Sequence, residues 1–196
     1  MPLPDVADRQ PIHTRAVTCR GWRRADGLWD IEGHLTDTKA YGFPNADRGE
    51  IAAGEPIHEM WLRLTLDDDL LVHDVVAVTD AAPFAVCPAI TPNFRRLVGL
   101  RIGRGWRRAI AERLGGVEGC THLVELLGPV ATTAYQTIYP IVAREKARTA
   151  GDRPPSHLDS CHALARDGAV VRREYPRWYT GPDAPVPAEG GVAPKA

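Results

Sequence analysis

Residues 60 to 79 leave the fold little freedom. Met60, Leu62, Leu64 and Leu66 alternate with Trp61, Arg63 and Thr65; Asp67, Asp68 and Asp69 then turn the chain into a second apolar run, Leu71 to Thr79. A period of two with one apolar face is the pattern of a half-buried strand, and two such runs around a short acidic turn read as a β-hairpin. Parity then places two polar side chains. His58 shares the face of Met60, Leu62 and Leu64, and Asp80 that of Val72, Val76 and Val78, so both are expected on the core side at strand ends. Upstream, Arg15 to Arg24 and Leu28 to Leu35 flank Ala25-Asp26-Gly27 and predict another hairpin.

The second half of the chain changes period. Thr91-Pro92 predicts a helix start, with Phe94, Leu97 and Val98 on one face before Gly99. Trp106, Ile110 and Leu114 recur four apart and end at Gly115-Gly116. A third and longest helix begins near Cys120 or Thr121 and turns Leu123, Leu126, Leu127, Val130, Ala134 and Ile138 inward, with a kink expected at Gly128-Pro129. Beyond a polar connection over 144–155, Asp159 is placed to cap a short helix through Cys161 and Leu164, and Val170-Val171 reads as a returning strand. The whole predicts an α+β fold: an antiparallel sheet of about four to six strands with three or four helices packed on one face. A single domain is expected over 13–179, between flexible ends at 1–12 and 180–196, the latter a Pro/Gly/Ala stretch with little apolar surface to bury.

With 196 residues, 44% of them hydrophobic, the chain can bury one proper core. A net charge of −1 removes any general electrostatic case for nucleic acid or an anionic membrane as partner. No apolar run approaches the roughly 20 residues of a membrane-spanning helix, and Met1 to Gln10 lacks a secretory apolar stretch, so a cytoplasmic protein is expected. Four widely spaced cysteines, Cys19, Cys87, Cys120 and Cys161, then read as reduced thiols, available as ligands.

Two pairs of residues carry the chemistry. Cys120 and His122 stand two apart at a helix start, where exposed backbone N–H groups favour a thiolate. His58, Asp80 and Cys87 belong to the two ends of one hairpin and should be neighbours. If the pairs meet, His58, Cys87, Cys120 and His122 form a metal site for zinc or iron, with Asp80 as an extra or outer partner. Asp37, Lys39 and Tyr41 at a strand end are candidates for substrate binding or acid–base work, set against an ordinary exposed turn. Arg95, Arg96, Arg101, Arg104, Arg107, Arg108 and Arg113, opposed only by Glu112, form a basic cluster able to hold a phosphate or carboxylate, set against a solvated helix face. Adjacent helix residues point about 100° apart, so at most one of Cys161 and His162 could join the same centre; Cys19 reads as core.

The runs GEPIHEMWLRL (54–64), PFAVCP (83–88), GCTHL (119–123) and LDSCHAL (158–164) resemble a bacterial family of unknown function, DUF family 2889, over nearly all of residues 13–179. A more distant likeness is to iron–sulfur scaffold proteins of the NifU type, over about residues 54–138. That likeness implies that His58, Cys87 and Cys120 stand where the scaffold's three cysteines stand. His58 replaces a thiolate, and His122 follows Cys120 where the scaffold's His precedes its Cys; a mononuclear centre is the expectation, an iron–sulfur cluster the alternative.

The functional expectation is a small metalloenzyme of hydrolase or lyase type acting on an acyl or aromatic molecule. The ion would act as Lewis acid, with His58, Asp80 or Glu125 as proton-transfer partner and Asp37, Lys39, Tyr41 and Arg104 towards substrate. The alternatives are a metal or cluster carrier docking on a delivery partner through its arginines, and a structural metal site in a binding protein. A homo-oligomer is compatible with each.

Overall fold

The computed structural model describes residues 3, 7–146, 154–155 and 157–182, with the side chains of 144–146 left aside. Of the expected flexible ends, residues 1–2, 4–6 and 183–196 lie outside the described residues. Contacts divide the chain into two compact units, residues 1–146 and 147–196, where the sequence reads as one domain over 13–179.

The first unit holds the sheet. Strands β1 (His13–Arg23), β2 (Trp29–Lys39), β5 (Pro56–Leu66) and β6 (Val72–Ala81) form one antiparallel sheet in the order β1-β2-β5-β6, and β3 (Phe43–Asn45) and β4 (Gly49–Ile51) form a separate hairpin between β2 and β5. The fold class is α+β, as the sequence indicates. Both predicted hairpins are present. In the first, Gly27 takes φ +87°, the left-handed conformation its turn requires, and Arg24 N donates to Leu28 O at 2.9 Å. In the second, Asp67 closes the turn by accepting from the backbone N–H groups of Asp69 and Leu71, each at 2.9 Å.

The β5–β6 pairing contains the irregularity that sequence parity misses. Thr65 pairs with Asp74 but Leu66 pairs with Val72, so His73 is an extra residue on β6. Val72 and Val75 are both buried, three apart, and everything beyond changes face. Val76 and Val78 therefore stand opposite Arg63 and Trp61 on the outer face, and Asp80 Oδ2 accepts from Trp61 Nε1 at 2.9 Å. The expectation that Asp80 points to the core side is corrected: it lies exposed on the opposite side of the sheet from His58.

Helices cover the inner face. A 3₁₀ segment, Cys87–Leu97, packs against β6 with Phe94 and Leu97 buried, while Val98, expected to join them, is exposed. Helix α1 (Trp106–Leu114) buries Trp106, Ile110 and Leu114, as their spacing indicates. Helix α2 (Thr121–Lys146) continues through Gly128-Pro129 and Pro140 and lies across β1, β2 and β5. All six of its predicted inward residues, Leu123, Leu126, Leu127, Val130, Ala134 and Ile138, are buried. Two glycines let α2 approach the sheet. A Cβ on Gly33 would stand 2.6 Å from Val130 Cγ2, and one on Gly21 would stand 2.1 Å from Thr137 Oγ1.

The second unit holds a 3₁₀ turn, His162–Leu164, helix α3 (Ala169–Glu174) and a further 3₁₀ turn, Pro176–Trp178. Asp159 does not cap the first of these turns, which starts after Cys161 without a side-chain cap; its carboxylate accepts from Arg166 N at 3.0 Å instead. Val170-Val171 is helical where a strand was expected; two β-branched residues are too short a run to outweigh the tertiary context that buries Val171. Among the described residues, no helix is long and apolar enough to cross a membrane.

Candidate functional site

The inner face of β2 carries Trp29, Ile31, Gly33, Leu35 and Asp37 in strict alternation, all buried. The last is the anomaly: a carboxylate 1% exposed at the end of an apolar row. Pairing across the sheet explains how it is tolerated. Arg15 on β1 and His58 on β5 are its register partners, so three polar side chains form one rung across three strands. Arg15 forks onto the carboxylate, Nε to Oδ1 and Nη2 to Oδ2, both at 2.8 Å. His13, two residues earlier on β1, brings Nε2 to 3.1 Å of Oδ1.

Helix α2 closes the rung from above. His122, in its first turn, places Nε2 at 3.6 Å from Asp37 Oδ2, while His58 Nδ1 lies 3.1 Å from the same oxygen. The two imidazoles stack, with centroids 3.7 Å apart and planes 29° apart. One turn further on, Glu125 accepts from Arg15 Nη1. Asp37, His58 and His122 each offer a ligand atom within 4.8 Å of the others.

The electrostatics fix the protonation states. Burial alone would push the Asp37 carboxyl up, but the Arg15 fork, its charge, the His13 hydrogen bond and the charge of His58 outweigh it and hold the group at about 2. Burial lowers both histidines, assisted for His58 by His122 and for His122 by Arg15, and these effects outweigh the pull of Asp37. The centre at neutral pH is one carboxylate facing two neutral imidazoles. That donor set suits a divalent cation or a proton-transfer reaction.

The sequence-predicted residues divide accordingly. His58 and His122 converge, as the meeting of the hairpin mouth with the third helix required, and Glu125 is tied to them through Arg15. Asp37, read as a substrate-side residue, lies at the middle of the cluster instead. Cys87 and Cys120 lie outside it: among the described residues, the group of three contains neither thiol. Cys120 packs on the apolar core with Sγ 3.9 Å from Met60 Sδ, and Cys87 opens the 3₁₀ segment. Lys39 Nζ sits over the Tyr41 ring at 5.2 Å, and Tyr41 is exposed. Arg104 is exposed, just before α1. Of the other arginines in the cluster, Arg95 pairs with Asp74, Arg96 with Glu118 and Arg108 with Glu112. Cys161 is exposed and half-buried Cys19 faces α2, where Thr133 is its hydrogen-bond partner.

Arg15 and His13 were not legible as site residues. The signal existed in β2: continuing the Trp29, Ile31, Leu35 alternation by one step puts Asp37 inward, and a buried carboxylate demands a cationic partner on a neighbouring strand.

The family described as protein of unknown function (DUF2889) matches residues 13–136, and the chain belongs to it. The matched span holds every residue of the rung and both histidines. No curated protein and no solved structure matches the chain. The NifU-type likeness receives no support from these comparisons.

Proposed function

We propose that Asp37, His58 and His122 form a mononuclear divalent-metal centre, for zinc or ferrous iron, in a small enzyme of hydrolase or lyase type. The observation that carries this reading is the convergence on one point of two neutral imidazoles and one ionised, buried carboxylate. Tetrahedral zinc with bonds of about 2.0–2.1 Å sets its ligand atoms roughly 3.3 Å apart. The separations from Asp37 Oδ2, 3.1 Å to His58 Nδ1 and 3.6 Å to His122 Nε2, bracket that value. Two histidines and one carboxylate leave open coordination positions, the arrangement of catalytic rather than closed structural sites. The ion would polarise a carbonyl or activate a water. Arg15, through both carboxylate oxygens, and His13, through Oδ1, would hold the carboxylate in place, and Glu125 is the carboxylate left near the centre for proton transfer.

One observation favours a second reading. Arg15 already neutralises Asp37 through both oxygens, so the carboxylate could serve only to orient His58 through Nδ1, leaving Nε2 as a metal-free general base.

Metal titration separates the two. Calorimetry of the full chain with zinc, and anaerobically with ferrous iron, should show one saturable site. His58→Ala and His122→Ala should each weaken it at least about tenfold, the least that loss of even a ligand's supporting partner costs. Unaltered wild-type protein that takes up neither ion would overturn the metal reading and leave the acid–base one.

A further inference from the structure

Helices α1 and α2 flank a half-open cavity of about 450 Å³ lined by Trp106, Arg107 and Ile110 on one side and by Glu125, Gly128 and Ala131 on the other. Its size lies within the roughly 300–1,000 Å³ of small-ligand sites. We propose that this cavity binds a small carboxylic acid with a flat or extended apolar body, its carboxylate paired with Arg107. This deepens the preceding reading, since the bound acid would be the substrate class presented to the Asp37 centre, and to that extent rests on it.

Three independent features point to a ligand. The first is charge. Arg95, Arg96 and Arg108 are paired with acids, whereas Arg107 has no ion-pair or hydrogen-bond partner among the described residues, and it lines the cavity. Glu125, the acidic group on the facing wall, is engaged by Arg15, so the cavity's free charge is positive. The second is the indole of Trp106. This side chain is 6% exposed, and its Nε1 is buried without a hydrogen-bond partner among the described residues. A buried donor with no acceptor is costly, and the side chain that carries it forms part of the cavity wall. The third is Gly128. Glycine is the poorest helix-interior residue after proline, yet it sits in the middle of α2. Pro129 follows it, whose ring disfavours a helical side chain just before it, and beyond these chain neighbours a Cβ there would meet nothing within 4 Å. At Gly21 and Gly33 the missing side chain admits a helix; at Gly128 it leaves the cavity open.

Glu125 joins the two places. It lines the cavity on one side and binds Arg15, the partner of Asp37, on the other, one helical turn from His122. An acid seated on Arg107 would therefore share Glu125 as a neighbour with the centre.

Benzoate and hexanoate titrated into metal-stripped full-length protein, followed by the NMR signal of the Trp106 indole N–H, test the proposal. A ligand of this size in a fitting cavity should bind at about 10 mM or tighter. At least one of the two acids is expected to give a saturable shift, weakened roughly tenfold or more in Arg107→Gln and with benzyl alcohol in place of benzoate. Gly128→Leu, which fills the cavity, should abolish it, and Arg108→Gln, outside the cavity, should not change it. No saturable shift with either acid, equal loss in Arg107→Gln and Arg108→Gln, or binding that survives Gly128→Leu would each overturn the proposal. Arg107→Gln should keep metal binding, and His122→Ala should keep acid binding. A wild-type chain that takes up metal but neither acid thus counts against this cavity, and one that binds an acid but no metal against the Asp37 centre.

Discussion

Asp37 is the residue on which the site depends. Its carboxyl is held at about 2 in the folded chain against about 3.9 when unfolded, so its contribution to stability is complete above that unfolded value and is lost as pH falls towards 2. His58 and His122 act in the same direction at higher pH. Their folded values lie below the usual 6.5, so the unfolded chain takes up protons first and stability declines as pH drops through that region. Urea unfolding of the metal-free protein between pH 8 and pH 3 should therefore show two successive losses, the first blunted in His58→Ala. Replacing Asp37 by Asn at neutral pH should cost about 2–3 kcal/mol. That is less than the about 3–5 of a fully buried pair, because Arg15 is 36% exposed. A loss under 0.5 kcal/mol would show that the fork contributes nothing to the fold.

At the scale of elements, the contact between α2 and the sheet positions His122 over the rung. Gly33→Ala would drive a methyl into Val130 and Leu126, so the helix must lift; a loss of about 1–3 kcal/mol is expected, together with weaker metal binding, because His122 rides on the same helix. Gly128→Ala is the contrasting substitution. It meets nothing beyond its chain neighbours, and with helix propensity favouring Ala and the Pro129 ring opposing it, stability should change by less than about 1 kcal/mol, read by thermal unfolding. The elements also show what was legible in the sequence. The apolar spacings of α2 and of the β1–β2 and β5–β6 hairpins gave the architecture because periodicity reports burial directly. One extra residue, His73, defeated the parity argument for Asp80, since a bulge leaves no periodic trace. The cysteines misled for a different reason: a thiol packs in a core as readily as it binds metal, and Cys120 against Met60 takes the first role in this structure. Asp37 was legible as inward-facing, but its place at the middle depended on Arg15, and register between distant strands is not written in either strand alone.

At the scale of the molecule, the apolar core cluster runs from Trp29 to Val142 and so lies wholly in the first unit, which also holds the rung, the histidines and the α1–α2 cavity. The family match, residues 13–136, falls inside the same unit. A protein ending at Lys146 should consequently fold cooperatively and keep its metal affinity within about threefold of the full chain, as judged by circular dichroism and calorimetry. An unfolded or aggregated product would show that residues 147–196 are needed to complete the core.

The measurement that bears most directly on the centre is a cobalt(II) titration of the full chain followed in the visible range. Nitrogen and oxygen ligation by His58, His122 and Asp37 predicts a single saturable set of ligand-field bands without thiolate charge transfer, lost in His58→Ala and His122→Ala and unchanged in Cys87→Ser and Cys120→Ser. Charge-transfer absorbance that disappears in the cysteine variants, or the absence of any bound cobalt, would contradict it.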